Sequence, residues 1–151
     1  MDRLSLLAVF AHPDDESCGP GGTLAKYAHE GTKVMLICAT RGEYGAYSPP
    51  HRVLSPQEFG RLRERELTDA CSVLGIRQWA LLGYEDGAIA RHDPLVLEQD
   101  IVYWFWKAKP QVVITHGPEG HPDHNAVSRS VTGAFEHAGD TTELVLDRTG
   151  D

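Results

Sequence analysis

The run AHPDDE at 11–16 sets one imidazole, His12, and three carboxylates, Asp14, Asp15 and Glu16, directly after the apolar stretch 6–10. Pro13 has a fixed φ and no amide donor, so a strand reaching it must turn rather than extend its ladder. Three consecutive acids repel one another, and a bound cation is the simplest way to offset that repulsion. A second cluster, HGPEGHPDH at 116–124, follows the apolar run 112–115. His12 and Asp15, three residues apart on a turn or first helical turn, can point the same way. With His124 they make two imidazoles and one carboxylate, a set that suits a tetrahedral zinc with one position open for water. Zinc brings the pKa of such a water into the neutral range. Asp14, beside these ligands, is placed to take the water's proton, and Glu16 to support the site.

The elements that must hold these groups alternate along the chain. Runs 4–11, 33–40, 78–82 and 112–115 are apolar and β-prone. Between them, 22–29, 56–74, 94–107 and 123–137 carry helical patterns; the second starts at Pro56 and stops at Gly75. The order β-α-β-α-β-α-β-α predicts an α/β fold with a mostly parallel sheet and helices on both faces. In open parallel sheets ligands gather outside the carboxyl ends of the strands, so the two His/Asp-rich turns can face one crevice. The segment 41–55 has no period and contains Gly42, Gly45, Pro49 and Pro50. It reads as a substrate-facing loop or a plain long connection. Trp104, Phe105 and Trp106 in succession cannot all face one core, which leaves one for a contact between copies or for ordinary packing.

Composition narrows the partners. With 14 Lys+Arg against 22 Asp+Glu, the net charge of −8 argues against nucleic acid or anionic lipid. No stretch approaches bilayer length and no charged leader precedes an apolar run, so membrane spanning and secretion are not expected. Cys18, Cys38 and Cys71 are odd in number and form no CxxC pair; Cys38 reads as a core residue, and a cytoplasmic setting fits. One domain is expected over 1–138, followed by an acidic tail at 139–151.

AHPDDE, TRGE at 40–43 and HPDH at 121–124 resemble the PIG-L/LmbE-like metal-dependent de-N-acetylases. Weaker agreement comes from Arg63 and Glu66 before Ala70, from Leu74-Gly75, and from Asp86-Gly87. The resemblance spans residues 4 to about 135. It implies a Rossmann-like three-layer fold, a Zn2+ or Fe2+ cofactor, and hydrolysis of N-acetyl groups from amino sugars and their conjugates. By motif position it makes His12, Asp15 and His124 the metal ligands and Asp14 the general base. His121 matches the family's second catalytic group, an imidazolium for the oxyanion and the departing amine; its alternative is a hydrogen-bond partner behind the ligands. Arg41 and Asp86 match positions that bind substrate, against a simple ion pair of Arg41 with Glu43 and a simple turn at Asp86. His51, His92 and His116 are left as polar surface or loop residues. Family members continue well past the last helix.

Three other functions fit parts of the pattern. The same activated water would serve a metal-dependent esterase or phosphoesterase, although a two-metal clamp wants more ligands. The glycines at 19–22 after a strand suggest a dinucleotide turn, but Leu24 stands where the third glycine belongs. An inactive metal-binding homologue is the last alternative.

Overall fold

The computed structural model describes residues 4–45, 54–117 and 120–138. Its four strands are β1 Ser5–Phe10, β2 Lys33–Thr40, β3 Gln78–Tyr84 and β4 Val112–Ile114. All pair in parallel, in the order β3-β2-β1-β4. The helices are α1 Asp15–Cys18, α2 Gly21–His29, α3 Pro56–Leu74, α4 Pro94–Ala108 and α5 Pro122–Ala138, with a 3-10 turn at Ile89–Arg91.

Alternation along β1 builds two cores. Leu6, Ala8 and Phe10 pack with Leu24 of α2 and with Leu67 and Cys71 of α3. Leu7, Val9 and Ala11 face the other way, onto Leu97, Ile101 and Phe105 of α4 and Val127 and Val131 of α5. A strand covered on both faces must be apolar throughout, which is why β1 and β2 read as continuous hydrophobic runs. Each large side chain so buried contributes about 1.5–3 kcal/mol.

Local chemistry sets the helix ends. The Ser55 hydroxyl accepts the Glu58 amide while the Glu58 carboxylate accepts the Ser55 amide, a reciprocal cap just ahead of Pro56. Gly75 ends α3 at φ +78°, where a side chain would be strained. Asp93 caps α4 through the Leu95 amide.

This topology creates the site. The chain runs outward from β1 through β2 to β3, then returns to lay β4 on the other flank of β1. Connections on the two sides of β1 therefore diverge at the carboxyl ends of β1 and β4, and a crevice opens at that switch point. Both chemical clusters of the sequence lie there.

Some boundaries differ from expectation. β3 extends to Tyr84, two residues beyond the expected run. The four-residue α1 and the 3-10 turn are too short to leave a periodic signal. Most of the long loop, 46–53, lies outside the described residues, as do 118–119 and the acidic tail 139–151. Trp104, Phe105 and Trp106 all contact the α4/α5 core, and the exposed aromatic of that stretch is Tyr103. Cys38 is buried in β2, and the three thiols are unpaired. Among the described residues no helix is long and apolar enough to cross a membrane.

Candidate metal centre

After Phe10 the chain turns through His12 and Pro13 into α1, and this turn carries the first cluster. Its backbone is held from within: the His12 amide donates to Asp15 Oδ2 at 2.8 Å, and the Asp14 amide to Glu16 Oε2 at 3.0 Å. Glu16 is 1% exposed and also accepts the Ser17 hydroxyl. Asp14 adopts φ +112°, a strained conformation for a residue with a side chain, and one that clusters at functional sites. The second cluster sits after β4 and on the first turn of α5. Thr115 ties the end of β4 to β1 through the Val9 carbonyl at 2.8 Å.

The expected triad comes together. His12 Nδ1 lies 3.1 Å from His124 Nε2 and 3.6 Å from Asp15 Oδ2, and His124 Nε2 is 3.5 Å from Asp15 Oδ1. Two donors each about 2.1 Å from one tetrahedral ion stand about 3.4 Å apart. Each pair is thus near that spacing, with His12 and His124 approaching different oxygens of Asp15. Three overlapping groups keep their donor atoms within 4.8 Å: His12, His121 and His124; Asp15, His116 and His124; and His12, Asp86 and Asp123.

The far side of His12 supports the same geometry. Its Nε2 faces Asp86 Oδ1 at 3.1 Å and Asp123 Oδ2 at 3.2 Å. A proton on Nε2, donated to these carboxylates, leaves the Nδ1 lone pair aimed at Asp15 and His124, as outer carboxylates do for metal-binding histidines. Asp123 is 0% exposed and is fixed by the Gly87 amide at 2.7 Å and the Ile89 amide at 3.1 Å. Asp86 is fixed by the Tyr44 amide at 2.8 Å, while its own amide donates to Glu43 at 3.1 Å.

These contacts shift the ionisation of the cluster. Burial works against a charged His12, but hydrogen bonds to Asp15 and Asp86 and the charge of both carboxylates prevail, and its pKa is pushed up to about 10. Burial likewise opposes a charged Asp15, yet the hydrogen bonds from the His12 ring and the His12 amide, and the charge of His124, hold its carboxyl well below the usual range. Asp86 is lowered too: burial is outweighed by the hydrogen bond from His12, the Tyr44 amide and the charge of His12. A metal ion at this point would replace the His12 proton as the positive charge.

Asp14 does not enter the triad. Its carboxylate, about half exposed, accepts Arg63 Nη2 at 2.8 Å; the same nitrogen donates to the Pro13 carbonyl, and Nη1 holds Glu66 at 2.9 Å. The His121 ring lies 4.9 Å from His12 and 4.5 Å from His124, centroid to centroid, and is exposed. Its Nδ1 accepts the Asp123 amide at 3.2 Å, so the neutral ring carries its proton on Nε2.

Other expectations meet a different arrangement. His116 is not a surface residue: its side chain is 6% exposed, stacks on His124 at 3.9 Å, and accepts the Ala11 amide at 3.0 Å. Its Nε2 also lies 3.4 Å from Asp15, and since one nitrogen cannot accept and donate at once, the shorter backbone contact sets the neutral tautomer. Asp86 has both oxygens engaged by His12 and Tyr44 instead of lying open as a turn. Arg41 pairs with Glu64 at 3.0 Å rather than with Glu43, and it is exposed. His92 stands against Tyr84, and His51 lies outside the described residues. Sequence reasoning gave no role to Asp123 or Arg63. Asp123 sat in plain view inside HPDH, and Arg63 within a weaker family match, but nothing local shows what either touches.

Fold and site together define an open-sheet α/β protein with a His/Asp cluster at its topological switch point. Residues 7–135 match the PIG-L family, described as GlcNAc-PI de-N-acetylase, and the chain belongs to that family. It is 34% identical over 131 residues to a Bacillus cereus protein named "Probable N-acetyl-alpha-D-glucosaminyl L-malate deacetylase 2", covering 85% of this chain and 60% of that one. It is 35% identical over 163 residues to the 1D-myo-inositol 2-acetamido-2-deoxy-alpha-D-glucopyranoside deacetylase of Thermobifida fusca, covering 93% and 57%. Among solved structures, N,N'-diacetylchitobiose deacetylase from Pyrococcus horikoshii superposes with a TM-score of 0.82 at 25% identity, covering 98% of this chain and 56% of that one. The chain thus spans little more than half the length of these relatives.

Proposed function

We propose that this chain is a metal-dependent de-N-acetylase. It hydrolyses the N-acetyl group of an N-acetylglucosamine-type amino sugar or its conjugate, giving acetate and free amine. One observation carries this: His12 Nδ1, Asp15 and His124 Nε2 stand 3.1–3.6 Å apart at the switch point, with an outer carboxylate pair behind His12. Family membership and the amino-sugar names of the relatives support the substrate class. The ligands are His12, Asp15 and His124, and the ion is Zn2+, with Fe2+ served by the same donor types. When bound, the ion supplies Lewis acidity toward the acyl oxygen and makes a water acidic enough to be deprotonated near neutral pH.

The side chains do the rest. Asp14, held by Arg63 at 2.8 Å, takes the proton of the attacking water and returns it to the departing amine. His121 donates from Nε2 to the acyl oxygen as negative charge builds there, its ring oriented by the Asp123 amide. Asp123 and Asp86 keep His12 in the ligating tautomer. Arg41, exposed just after β2, is the group assigned to a hydroxyl or phosphate of the substrate. Three unpaired thiols fit a reducing, cytoplasmic setting.

The test is acetate release from a panel of N-acetylglucosaminides by zinc-loaded protein, with and without chelator. Release that stops with chelator and returns with Zn2+ is expected. Loaded, folded protein that frees no acetate but cleaves an acyl or phosphate ester would favour the esterase alternative.

A further inference from the structure

At the opposite end of the sheet lies a cavity of about 530 Å3 for which the chemistry above has no use. It opens at the amino ends of β1, β2 and β3, beside the last turn of α4. Strand register builds it: Ser5 pairs with Lys33, and Met35 with Gln78, so the three strand starts stand side by side. The end of α4 is fastened there by the Ser5 hydroxyl, which donates to the Ala108 carbonyl at 2.9 Å. The length of β1, about 20 Å of strand, separates this cavity from the turn that carries His12.

Three cations converge on it: Lys33 from the start of β2, Arg77 from just ahead of β3, and Lys107 from the last turn of α4. Among the described residues no carboxylate lines it, in a chain with 22 acidic residues against 14 basic ones. All three cations are exposed, and none is ion-paired to a described carboxylate. A lysine in the last turn of a helix ordinarily serves the terminal carbonyls. Lys107 instead holds its ammonium 4.6 Å from the centre of the Trp104 ring, a contact that a phosphate displaces readily. The rest of the wall is apolar, formed by the buried Met35 and the half-buried indoles of Trp79 and Trp104. A flat ring laid against it covers apolar surface that water now meets. Like charges delivered from three separate elements repel, and an anion of more than one charge relieves them together. The volume lies within the span of small-molecule sites, about 300–1,000 Å3.

We propose that this cavity binds a phosphate ester carrying an aromatic ring, the chemistry of a nucleotide. Lys33, Arg77 and Lys107 take the phosphates, and the wall of Met35, Trp79 and Trp104 takes the ring. This is a second site, separate from the candidate metal centre, and it does not rest on the de-N-acetylase reading.

The experiment titrates the full zinc-loaded chain with ADP, inorganic pyrophosphate and adenosine, followed by calorimetry and by tryptophan emission. ADP is expected to bind about tenfold or more tighter than either of its parts, because only it engages both walls. Its Kd rises about tenfold in Arg77→Ala and in Lys107→Ala, partly recovers in Arg77→Lys, and rises with added salt. Both side chains are exposed, and a urea midpoint near the parent's confirms that each variant is folded. Chelator-treated protein should bind ADP within about twofold of the zinc-loaded value, since no candidate metal ligand lies at this end of the sheet. No binding of ADP, binding unmoved by either charge removal, or binding that disappears with the metal overturns the site. Pyrophosphate held as tightly as ADP overturns the ring contact and with it the nucleotide class.

Discussion

Replacing Asp123 by Asn probes the least exposed polar contact of the centre. Asp123 Oδ2 faces the Gly87 amide at 2.7 Å and His12 Nε2 at 3.2 Å, and Oδ1 faces the Ile89 amide at 3.1 Å. An asparagine has one acceptor oxygen for these three donors. In its better orientation the amide oxygen keeps Gly87 and His12, and its NH2 then meets the Ile89 N–H, donor against donor. One buried amide left unsatisfied costs about 1–3 kcal/mol of stability. Separately, His12 loses a charged partner on the nitrogen that orients it. Loss of such a partner lowers metal affinity about 10- to 100-fold, which is about 1.4–2.8 kcal/mol. Urea unfolding measures the first quantity, and competition against a chromophoric zinc chelator measures the second on folded protein. If stability falls while the zinc Kd stays within about twofold of the parent, Asp123 merely anchors the turn at 87–89 and its orienting role is wrong.

Asp14→Ala should leave the zinc Kd near the parent value and lower acetate turnover about 10²- to 10⁴-fold, the usual range for a lost general base; near-parental turnover would remove that assignment. Chelated protein should lose stability as pH rises from about 6.5 through about 10. His12 has its pKa raised by Asp15 and Asp86, so its contribution is complete below the unfolded value and vanishes as the ring loses its proton. Apparent zinc affinity should rise with pH across the same window, by about tenfold per unit from this group, because binding must displace that proton. Flat profiles in both measurements would contradict the His12 contacts. Ser55→Ala removes the side-chain half of the α3 cap and should cost about 1 kcal/mol in urea unfolding, without changing the zinc Kd.

The sequence carried the framework well because its signals there are local. Uninterrupted apolar runs marked β1 and β2 as buried on both faces, and Pro56 and Gly75 marked the ends of α3. The spacing of His12, Asp15 and His124 survived folding because both clusters sit at strand ends on either side of the switch point. What escaped depends on contacts between distant segments. Arg63 reaches Asp14 from a helix 49 residues away, and Asp123 reaches Gly87 and Ile89 across 36 and 34 residues. His116 resembled a loop residue until its ring lay flat on His124 and covered the end of β1. Asp86 resembled a turn acid because Asp-Gly usually is one, and only the three-dimensional course of β3 turns it against His12.

Metal stoichiometry is the most direct measurement of all. Elemental analysis after loading and dialysis should find close to one zinc ion per chain in the parent and in Asp14→Ala, and essentially none in folded His12→Ala or His124→Ala. Parent-like zinc in either histidine variant, or an empty parent, would mean that these two turns of the sheet do not share an ion.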